Sequence, residues 1–174
     1  MKRRHFLSGL LGAATLPLMR ARAHAASTAQ GPAIAPIRKS EAEWRRLLTP
    51  AQYEVLRNEG TEPAGSSPLL HEKRAGEYLC AGCGLALFTS DMKYDSGTGW
   101  PSFYATLPGR VNTSLDFKLI LPRTEYHCAR CGGHQGHVFD DGPPPTGKRW
   151  CNNGIALTFA AAASGTAPQP QQGG

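Results

Sequence analysis

Apolar residues recur at helical spacing in the segment EAEWRRLLTPAQYEVLRNEG. Trp44 and the leucines three and four positions after it would lie on one face of a helix. Ser40 stands before this pattern as an N-cap, and Thr49-Pro50 begins a second pattern that Gly60 ends. We predict two short helices that pack on the edge of the domain.

The pattern changes from Tyr78 onward to short β-prone runs such as EYLC, ALFTS, TEYHC, HVFDD and IALTF. Gly, Pro, Asp and Asn residues, which favour turns, separate these runs. The run LDFKLI at 115–120 alternates roughly between apolar and polar residues before it becomes apolar, which fits a strand covered on one face at its start. The sequence therefore predicts a mainly β fold, an antiparallel sandwich or a partly open barrel.

The chain of 174 residues is long enough for one domain with a core and two tails. Residues 26–39 are small, polar and proline-bearing, as in a linker. Residues 161–174 are of low complexity, and we predict that they are disordered because they offer little apolar surface. The predicted catalytic or binding domain therefore spans residues 40–160.

The first 25 residues resemble an export signal. A basic start precedes an apolar run from Phe6 to Met19, too short for a comfortable transmembrane helix, and the cleavage pattern Ala23-His24-Ala25. Arg3-Arg4 followed by Phe6-Leu7 resembles a twin-arginine signal, which exports folded proteins. An ordinary signal and an uncleaved anchor are the alternatives. We expect an exported, periplasmic protein that uses the export machinery for folded proteins.

The net charge depends on whether this signal is removed. The full chain has 19 Lys and Arg against 13 Asp and Glu, a formal charge of +6. Residues 1–25 hold five of the basic residues and no acidic one, so the mature chain would carry 14 − 13 = +1. Nucleic-acid binding rests largely on clustered Lys and Arg. We therefore expect no nucleic-acid partner.

Four of the five cysteines form two C-x-x-C units, Cys80 with Cys83 and Cys128 with Cys131, with 44 residues between them. Each unit can present two thiolates to one tetrahedral metal ion. Two disulfides are the alternative in an exported protein. However, a disulfide inside C-x-x-C closes a very short loop and is typical of redox-active pairs, and folded export would allow metal loading in the cytoplasm. We therefore predict a structural zinc ion held by all four cysteines.

The fifth cysteine, Cys151, stands outside these pairs and is free to act as a nucleophile. On a strand, Arg149 two residues before it would lie on the same face, where its positive charge would lower the pKa of the thiol. A buried, inert core cysteine is the alternative.

His134 and His137 lie in the glycine-rich stretch CGGHQGHVF. They could be metal ligands, but the paired cysteines already satisfy one zinc ion and H-x-x-H lacks a third ligand nearby. They could equally be surface loop residues. As acid–base groups they would suit a thiol enzyme, because one of them could protonate a leaving oxygen.

The segment YDSGTGWPSFY at 94–104 combines glycines with Trp100 and Phe103. Such a loop can wall an apolar pocket for a small methyl-bearing group, with both aromatic residues binding the substrate. In the alternative, the tryptophan is a core side chain within a turn.

Together these segments resemble the R-specific, type B methionine sulfoxide reductases. The resemblance runs in order from about Ser40 to Phe159, through EWRRLLTPAQYEVLR, GTE, C-x-x-C, LF-x-S, KYDSGTGWPSF, C-x-x-C, H-x-G-H-V-F-x-D-G-P and PTG-x-RWC-x-N. Each piece alone is unspecific, but the ordered combination covers nearly the whole predicted domain.

The resemblance implies two antiparallel β-sheets with small flanking helices, and one zinc ion held by both cysteine pairs. It implies that the Cys151 thiolate attacks the sulfoxide sulfur, that His134 or His137 protonates the oxygen, and that a sulfenic acid forms. Asn153 would help to orient substrate or water, and Trp100 would contact the ε-methyl group. The implied activity is reduction of methionine-R-sulfoxide, mainly in oxidised proteins and peptides.

Two features depart from the family pattern. Many members carry a resolving cysteine where this chain has Thr98, and no other uncommitted cysteine exists here. The sulfenic acid would therefore need an external reductant, thioredoxin-like or another thiol, or a zinc-site cysteine at the expense of the metal. Trp150 and Asn152-Asn153-Gly154 replace the commoner Tyr and Ile-Asn-Ser, which leaves the substrate preference open.

Two other functions stay open from the residues alone. A non-enzymatic zinc-binding module could hold a peptide with its aromatic loop and would need neither Cys151 nor the histidines. A thiol–disulfide oxidoreductase would use CAGC as its redox motif. The sequence contains nothing that demands more than a monomer, which is the state we expect.

Overall fold

The computed structural model describes residues 34–163 of the chain. The predicted signal, the start of the predicted linker and most of the predicted tail lie outside the described residues. The described end of the linker is extended, and the backbone N–H of Ile37 donates a hydrogen bond of 2.7 Å to the carbonyl oxygen of Arg130. Ala161, the predicted first residue of the tail, still belongs to the last strand, where it pairs with Gly76. No helix within the described range is long and apolar enough to cross a membrane.

Two helices begin the domain, α1 at Glu41–Leu47 and α2 at Pro50–Asn58. Ser40 and Thr49 are their N-caps, as predicted. Each cap forms a capping box. The side chain of the cap accepts a hydrogen bond from the backbone N–H of the third helical residue, and the side chain of that residue accepts one from the backbone N–H of the cap. The C-cap of α2 is Glu59, in the left-handed conformation with φ 56°. This turn ends the helix one residue before the predicted stop at Gly60.

Nine strands follow among the described residues, and all paired neighbours are antiparallel. Their bounds are β1 Gly76–Cys80, β2 Ala86–Thr89, β3 Lys93–Tyr94, β4 Ser102–Phe103, β5 Val111–Asp116, β6 Arg123–Cys128, β7 His134–Phe139, β8 Arg149–Asn152 and β9 Leu157–Ala161. They form a three-stranded sheet, β2-β1-β9, and a six-stranded sheet, β3-β4-β8-β7-β6-β5. The predicted fold of two antiparallel sheets with short N-terminal helices is confirmed, and the sheets do not close into a barrel.

The core lies where the two sheets face each other. Phe88 of β2 stacks on Phe103 of β4, with ring centroids 4.0 Å apart and an interplanar angle of 8°. Tyr78 of β1 meets Phe103 edge-on at 5.0 Å. Tyr126 of β6 meets Trp150 of β8 edge-on at 5.0 Å. These aromatic contacts involve one face of the six-stranded sheet, so its opposite face is available to carry a site.

The predicted strand at 115–120 is wrong beyond its first two residues. Strand β5 ends at Asp116, and Phe117 and Ile120 beyond it are exposed. The Asp116 carboxylate accepts a hydrogen bond of 2.8 Å from the backbone N–H of Lys118, which turns the chain away from the sheet. An aspartate side chain that accepts a hydrogen bond from the backbone two residues later favours a turn. Here this preference outweighs the strand-like alternation of apolar residues.

Candidate active site and four-cysteine cluster

Two tight turns bring the four paired cysteines together, one after β1 and one after β6. In each turn the glycine after the second cysteine has a positive φ, 70° at Gly84 and 67° at Gly132. Each of these glycines donates its N–H to the carbonyl oxygen of the first cysteine of its unit. Side chains with a Cβ rarely adopt this conformation, so the glycines are required by the turns.

The sulfur atoms of these cysteines form a cluster that could hold a metal ion. Cys80 Sγ lies 3.6 Å from Cys131 Sγ, and Cys83 Sγ lies 3.5 Å from Cys128 Sγ. Tetrahedral zinc with bonds of about 2.3 Å would place its sulfur ligands about 3.8 Å apart. The short contacts join different C-x-x-C units, and all four cysteines are free thiols. The cluster therefore fits one shared ion better than a disulfide inside each unit.

The six-stranded sheet places Cys151 in a row of polar side chains. Ser102 of β4 and His137 of β7 lie directly opposite Cys151 of β8, on its two sides. In the same register Glu125 of β6 lies opposite His137, and Ser114 of β5 lies opposite Glu125. Directly opposite residues in an antiparallel sheet project from the same face. All five side chains therefore lie on the face that does not carry the core aromatic rings.

A cavity of about 110 Å³ opens at Cys151, with Trp100 and His137 among its lining residues. Trp100 Nε1 donates a hydrogen bond of 3.1 Å to the carbonyl oxygen of Glu62, which holds the indole ring in the wall. A larger cavity of about 670 Å³ has neither cysteine nor histidine among its described lining residues. The smaller cavity is therefore the candidate active site, because it combines a cysteine thiol with a histidine.

Burial raises the pKa of the Cys151 thiol above its ordinary value. The positive charge of Arg149 lowers that pKa in part, together with hydrogen bonds from Thr98 and Ser102. The predicted lowering by Arg149 is therefore present, but burial has the larger effect on the pKa of the thiol. Desolvation of the thiolate outweighs the nearby cation, so most Cys151 in the free protein is the neutral thiol at neutral pH.

Three hydroxyl groups form a connected network beside Cys151. Ser96 Oγ lies 2.9 Å from Thr98 Oγ1 and 2.7 Å from Ser102 Oγ. Ser102 is fully buried and lies directly opposite Cys151 in the sheet. Sequence reasoning noted Thr98 only as the position of a missing cysteine and overlooked both serines. No sequence signal distinguishes them from ordinary loop serines, because the register of β4 on β8 creates the contact.

His137 is paired with a carboxylate that the sequence did not reveal. His137 Nε2 lies 2.8 Å from Asp116 Oδ2, which also accepts a hydrogen bond of 2.5 Å from Arg123 Nη2. Hydrogen bonds from the Lys118 N–H, His137 and Arg123 hold the pKa of Asp116 well below its ordinary value, so the carboxylate is ionised. Burial lowers the pKa of His137, and the bond to Asp116 opposes that shift.

His134 occupies a different environment from His137. Its side chain is 1% exposed, and it is absent from the described lining of the cavity. Burial lowers the pKa of His134 to about 4, so the ring is neutral at neutral pH. The two ring centroids are 5.4 Å apart. Only His137 of the two predicted acid–base residues therefore lines the cavity at Cys151.

Comparison with known proteins gives a consistent match. The SelR domain matches residues 48–161 of this chain. The chain belongs to the SelR family. A peptide methionine sulfoxide reductase MsrB of Leifsonia xyli is 55% identical over 125 residues, 71% of this chain and 90% of that protein. Proteins of the same name from Methanosarcina barkeri and Agrobacterium fabrum are 52% and 49% identical over 124 residues, 71% of this chain and 87% and 92% of theirs.

In this SelR-family protein Arg149 is bound to a carboxylate. Its Nε and Nη2 atoms donate to the two carboxylate oxygens of Asp141, at 2.8 and 2.9 Å. The guanidinium also lies 4.2 Å from the ring centre of Phe139. A bidentate pair fixes a guanidinium more firmly than a single contact. The Arg149 charge therefore acts on Cys151 from a fixed position.

Asn153 supports the loop beneath the cavity of this SelR domain. Its Nδ2 donates to the carbonyl oxygen of Gln135 at 3.0 Å, and its Oδ1 accepts from the backbone N–H of Glu62 at 3.0 Å. The Glu62 carboxylate accepts hydrogen bonds from the backbone N–H groups of Gly154 and Ile155. Asn153 lines the cavity, but both ends of its side chain have backbone partners. Glu62, which sequence reasoning assigned no role, thus connects the two chain segments.

Phe103 does not line the cavity, contrary to the expectation that it binds substrate. Its ring is fully buried against Phe88 between the two sheets. Side chains alternate between the two faces of a strand. Because Ser102 lies on the face of Cys151, the next residue must lie on the core face.

Proposed function

We propose that this protein reduces methionine-R-sulfoxide, mainly in oxidised proteins and peptides, through its Cys151 thiol. The observation that carries the proposal is the adjacency of Cys151 and His137 on neighbouring strands, beside a cavity walled by Trp100. The size of the cavity, about 110 Å³, suits one thioether side chain rather than a large ligand. Membership of the SelR family, whose matched relatives are named peptide methionine sulfoxide reductases, supports the same activity.

In the proposed reaction the Cys151 sulfur attacks the sulfoxide sulfur. The sulfoxide oxygen is transferred to Cys151, which is oxidised by two electrons to a sulfenic acid, while the substrate sulfur is reduced to the thioether. The fixed charge of Arg149 and the hydroxyls of Thr98 and Ser102 stabilise the attacking thiolate. Trp100 contacts the ε-methyl group and thereby favours one configuration at the sulfur.

His137 delivers the proton to the sulfoxide oxygen in this proposal. It lines the cavity, whereas His134 is buried away from it with a pKa of about 4. The ionised Asp116 carboxylate stabilises the protonated His137 ring through the 2.8 Å contact. A histidine paired in this way can take the proton of the Cys151 thiol and return it to the oxygen of the substrate.

An external thiol regenerates the enzyme. The other four cysteines belong to the cluster, so Cys151 has no free thiol partner within residues 34–163. A first reductant thiol condenses with the sulfenic acid, which forms a mixed disulfide and releases water. A second thiol then attacks that disulfide, so that Cys151 returns as a thiol and the reductant leaves as its disulfide. A thioredoxin-like dithiol supplies both thiols in one molecule.

The four-cysteine cluster holds a structural zinc ion in this proposal. Cys80, Cys83, Cys128 and Cys131 would be its ligands, and the ion would join the turn after β1 to the turn after β6. Gln135 Nε2 donates to Cys80 Sγ at 3.4 Å, and the Gln135 carbonyl oxygen accepts from the side chain of Asn153. The ion thus supports the segment beside the cavity without taking part in the reaction.

We further propose that the protein is exported and acts as a monomer in the periplasm. The basic start, apolar run and Ala23-His24-Ala25 of residues 1–25 support a twin-arginine signal. Replacement of Arg3 and Arg4 by lysine should leave the protein in the cytoplasmic fraction. Periplasmic recovery of that double variant would contradict this route.

The decisive experiment measures reduction of separated R and S diastereomers of a methionine-sulfoxide peptide with dithiothreitol. Turnover of the R form alone, absent from Cys151→Ser, would support both the reaction and the nucleophile. Zinc content of the variant serves as its folding control, because the cluster does not include Cys151. No turnover of either form by folded wild type would refute the proposal. It would leave a peptide-binding module as the alternative.

A further inference from the structure

We propose that Glu125, His127 and His134 form a second metal site, selective for a divalent transition-metal ion with nitrogen and oxygen ligands. One ligand atom from each residue can be chosen such that all three lie within 4.8 Å of one another. His134 Nδ1 lies 3.3 Å from Glu125 Oε2, and His127 Nε2 lies 3.7 Å from that same oxygen. A tetrahedral ion with Zn–N and Zn–O bonds of about 2.1 Å would separate its ligand atoms by about 3.4 Å.

Strand pairing brings these three residues to one face of the sheet. Glu125 and His127 are two positions apart on β6 and therefore project from the same side. His134 of β7 lies opposite His127, and the β6–β7 register shifts between Tyr126 and His127. His134 and His137 are three positions apart, so in a regular strand they would project from opposite faces. The irregularity places both histidines on the face of Glu125.

The strongest sign of a missing partner is the state of His134. Its side chain is 1% exposed, and within residues 34–163 neither of its ring nitrogens has a hydrogen-bond partner. Burying a polar group without a hydrogen-bond partner is unfavourable, so native proteins rarely keep one. The 3.3 Å approach of Nδ1 to the Glu125 carboxylate lacks hydrogen-bond geometry. A metal ion bound to both atoms would give His134 Nδ1 and Glu125 Oε2 a common partner.

Surrounding residues prepare Glu125 for this role. Ser114 Oγ donates a hydrogen bond of 3.0 Å to Glu125 Oε1, which leaves Oε2 directed at the histidines. Hydrogen bonds of this kind orient ligands in known metal sites. Glu59 Oε1 lies 3.9 Å from His127 Nε2, while Glu59 Oε2 is paired with Lys118 Nζ at 2.7 Å. Glu59 can therefore become a fourth ligand, or a water molecule can take that position.

The donor set defines the class of ion. Imidazole nitrogens with one carboxylate suit zinc, cobalt, nickel and iron in the divalent state, whereas magnesium and calcium prefer oxygen ligands alone. The site is distinct from the four-thiolate cluster, with which it shares no residue. If Glu59 joins it, the ion also connects the end of α2 to strands β6 and β7.

The test counts metal ions per chain in the full-length protein. Wild type and variants are dialysed against micromolar zinc, separated from free metal by gel filtration and analysed for zinc by mass spectrometry. Wild type should bind two zinc ions per chain. His127→Gln should bind one, held by the cysteines, which also shows that the variant is folded. His71→Gln, which changes an exposed histidine outside the site, should bind two.

The absorption spectrum of bound cobalt tests independently which ligands hold the second ion. Protein whose cysteine cluster is already filled with zinc is titrated with cobalt, and the added ion should show ligand-field bands without thiolate charge-transfer absorption. Glu125→Gln, which keeps the size of the side chain and removes its charge, should abolish these bands. One zinc ion per folded wild-type chain, or two zinc ions in His127→Gln, would overturn the proposal. Neither outcome depends on reductase activity.

Discussion

We predict that Gly136→Ala, which adds a single methyl group, reduces catalytic activity beyond its effect on folding stability. It lies on β7 beside His137, opposite Asn152 of β8. A Cβ atom built on Gly136 would lie 2.0 Å from the carbonyl oxygen of Cys151. Real Cβ atoms almost never approach another atom closer than 3.0 Å, so Gly136→Ala must move β7 and β8 apart by at least 3.0 − 2.0 = 1.0 Å. That movement occurs where His137 and Cys151 face each other.

The displacement sets the expected magnitude. A misplacement of about 1 Å in reacting groups can reduce the rate by about 100-fold, and we expect that loss in kcat/KM for the R-sulfoxide peptide. Forcing a methyl group into a packed region costs about 1–3 kcal/mol of unfolding free energy. For a domain of this size that corresponds to a fall in Tm of about 4 °C per kcal/mol.

Gly76→Ala is the matched control. A Cβ on Gly76 would lie 2.2 Å from the carbonyl oxygen of Ala160, a similar clash between strands of the other sheet. Both variants should therefore lose stability in thermal unfolding, but only Gly136→Ala should lose most of its activity at a temperature where both are folded. Equal activity in the two folded variants would refute the inference that the β7–β8 spacing positions the reacting groups.

Three further predictions follow from the site. Asp116→Asn removes the carboxylate that opposes the lowering of the pKa of His137 by burial. The mutant His137 should be a weaker acceptor of the Cys151 proton, so kcat/KM at pH 7 should fall by about 10-fold or more, and the acidic limb of its pH profile should move to lower pH; an unmoved limb would exclude His137 as the base that titrates there. After one turnover without reductant, Thr98→Cys should form a disulfide between the new cysteine and Cys151. The wild-type protein should instead keep a sulfenic acid, which dimedone labels. Dimedone labelling of both proteins would contradict the contact between positions 98 and 151. Removal of metal by a strong chelator should abolish activity and near-ultraviolet circular dichroism together, and full activity of zinc-free protein would contradict a structural role of the four-cysteine cluster.

Local sequence signals correctly located the features that depend on a few neighbouring residues. Ser40 and Thr49 cap their helices because each capping box involves residues only three positions apart. The C-x-x-C units fold into tight turns because Gly84 and Gly132 can adopt positive φ values. The single unpaired Cys151 was recognisable by counting cysteines, and it lies at the cavity.

The tertiary structure decided which side chains meet Cys151. Ser102 and His137 reach it from strands that are distant in sequence, and Asp116 reaches His137 from a third strand. Local patterns do not encode which strands pair or in which register, and a shift by one residue moves every side chain to the other face. For the same reason Phe103 was misplaced, since its position in the core follows from the pairing of β4 with β8. The sequence by itself determined which residues could do the chemistry, and only strand pairing decided which of them stand together, because that contact is made across the sheet and not along the chain.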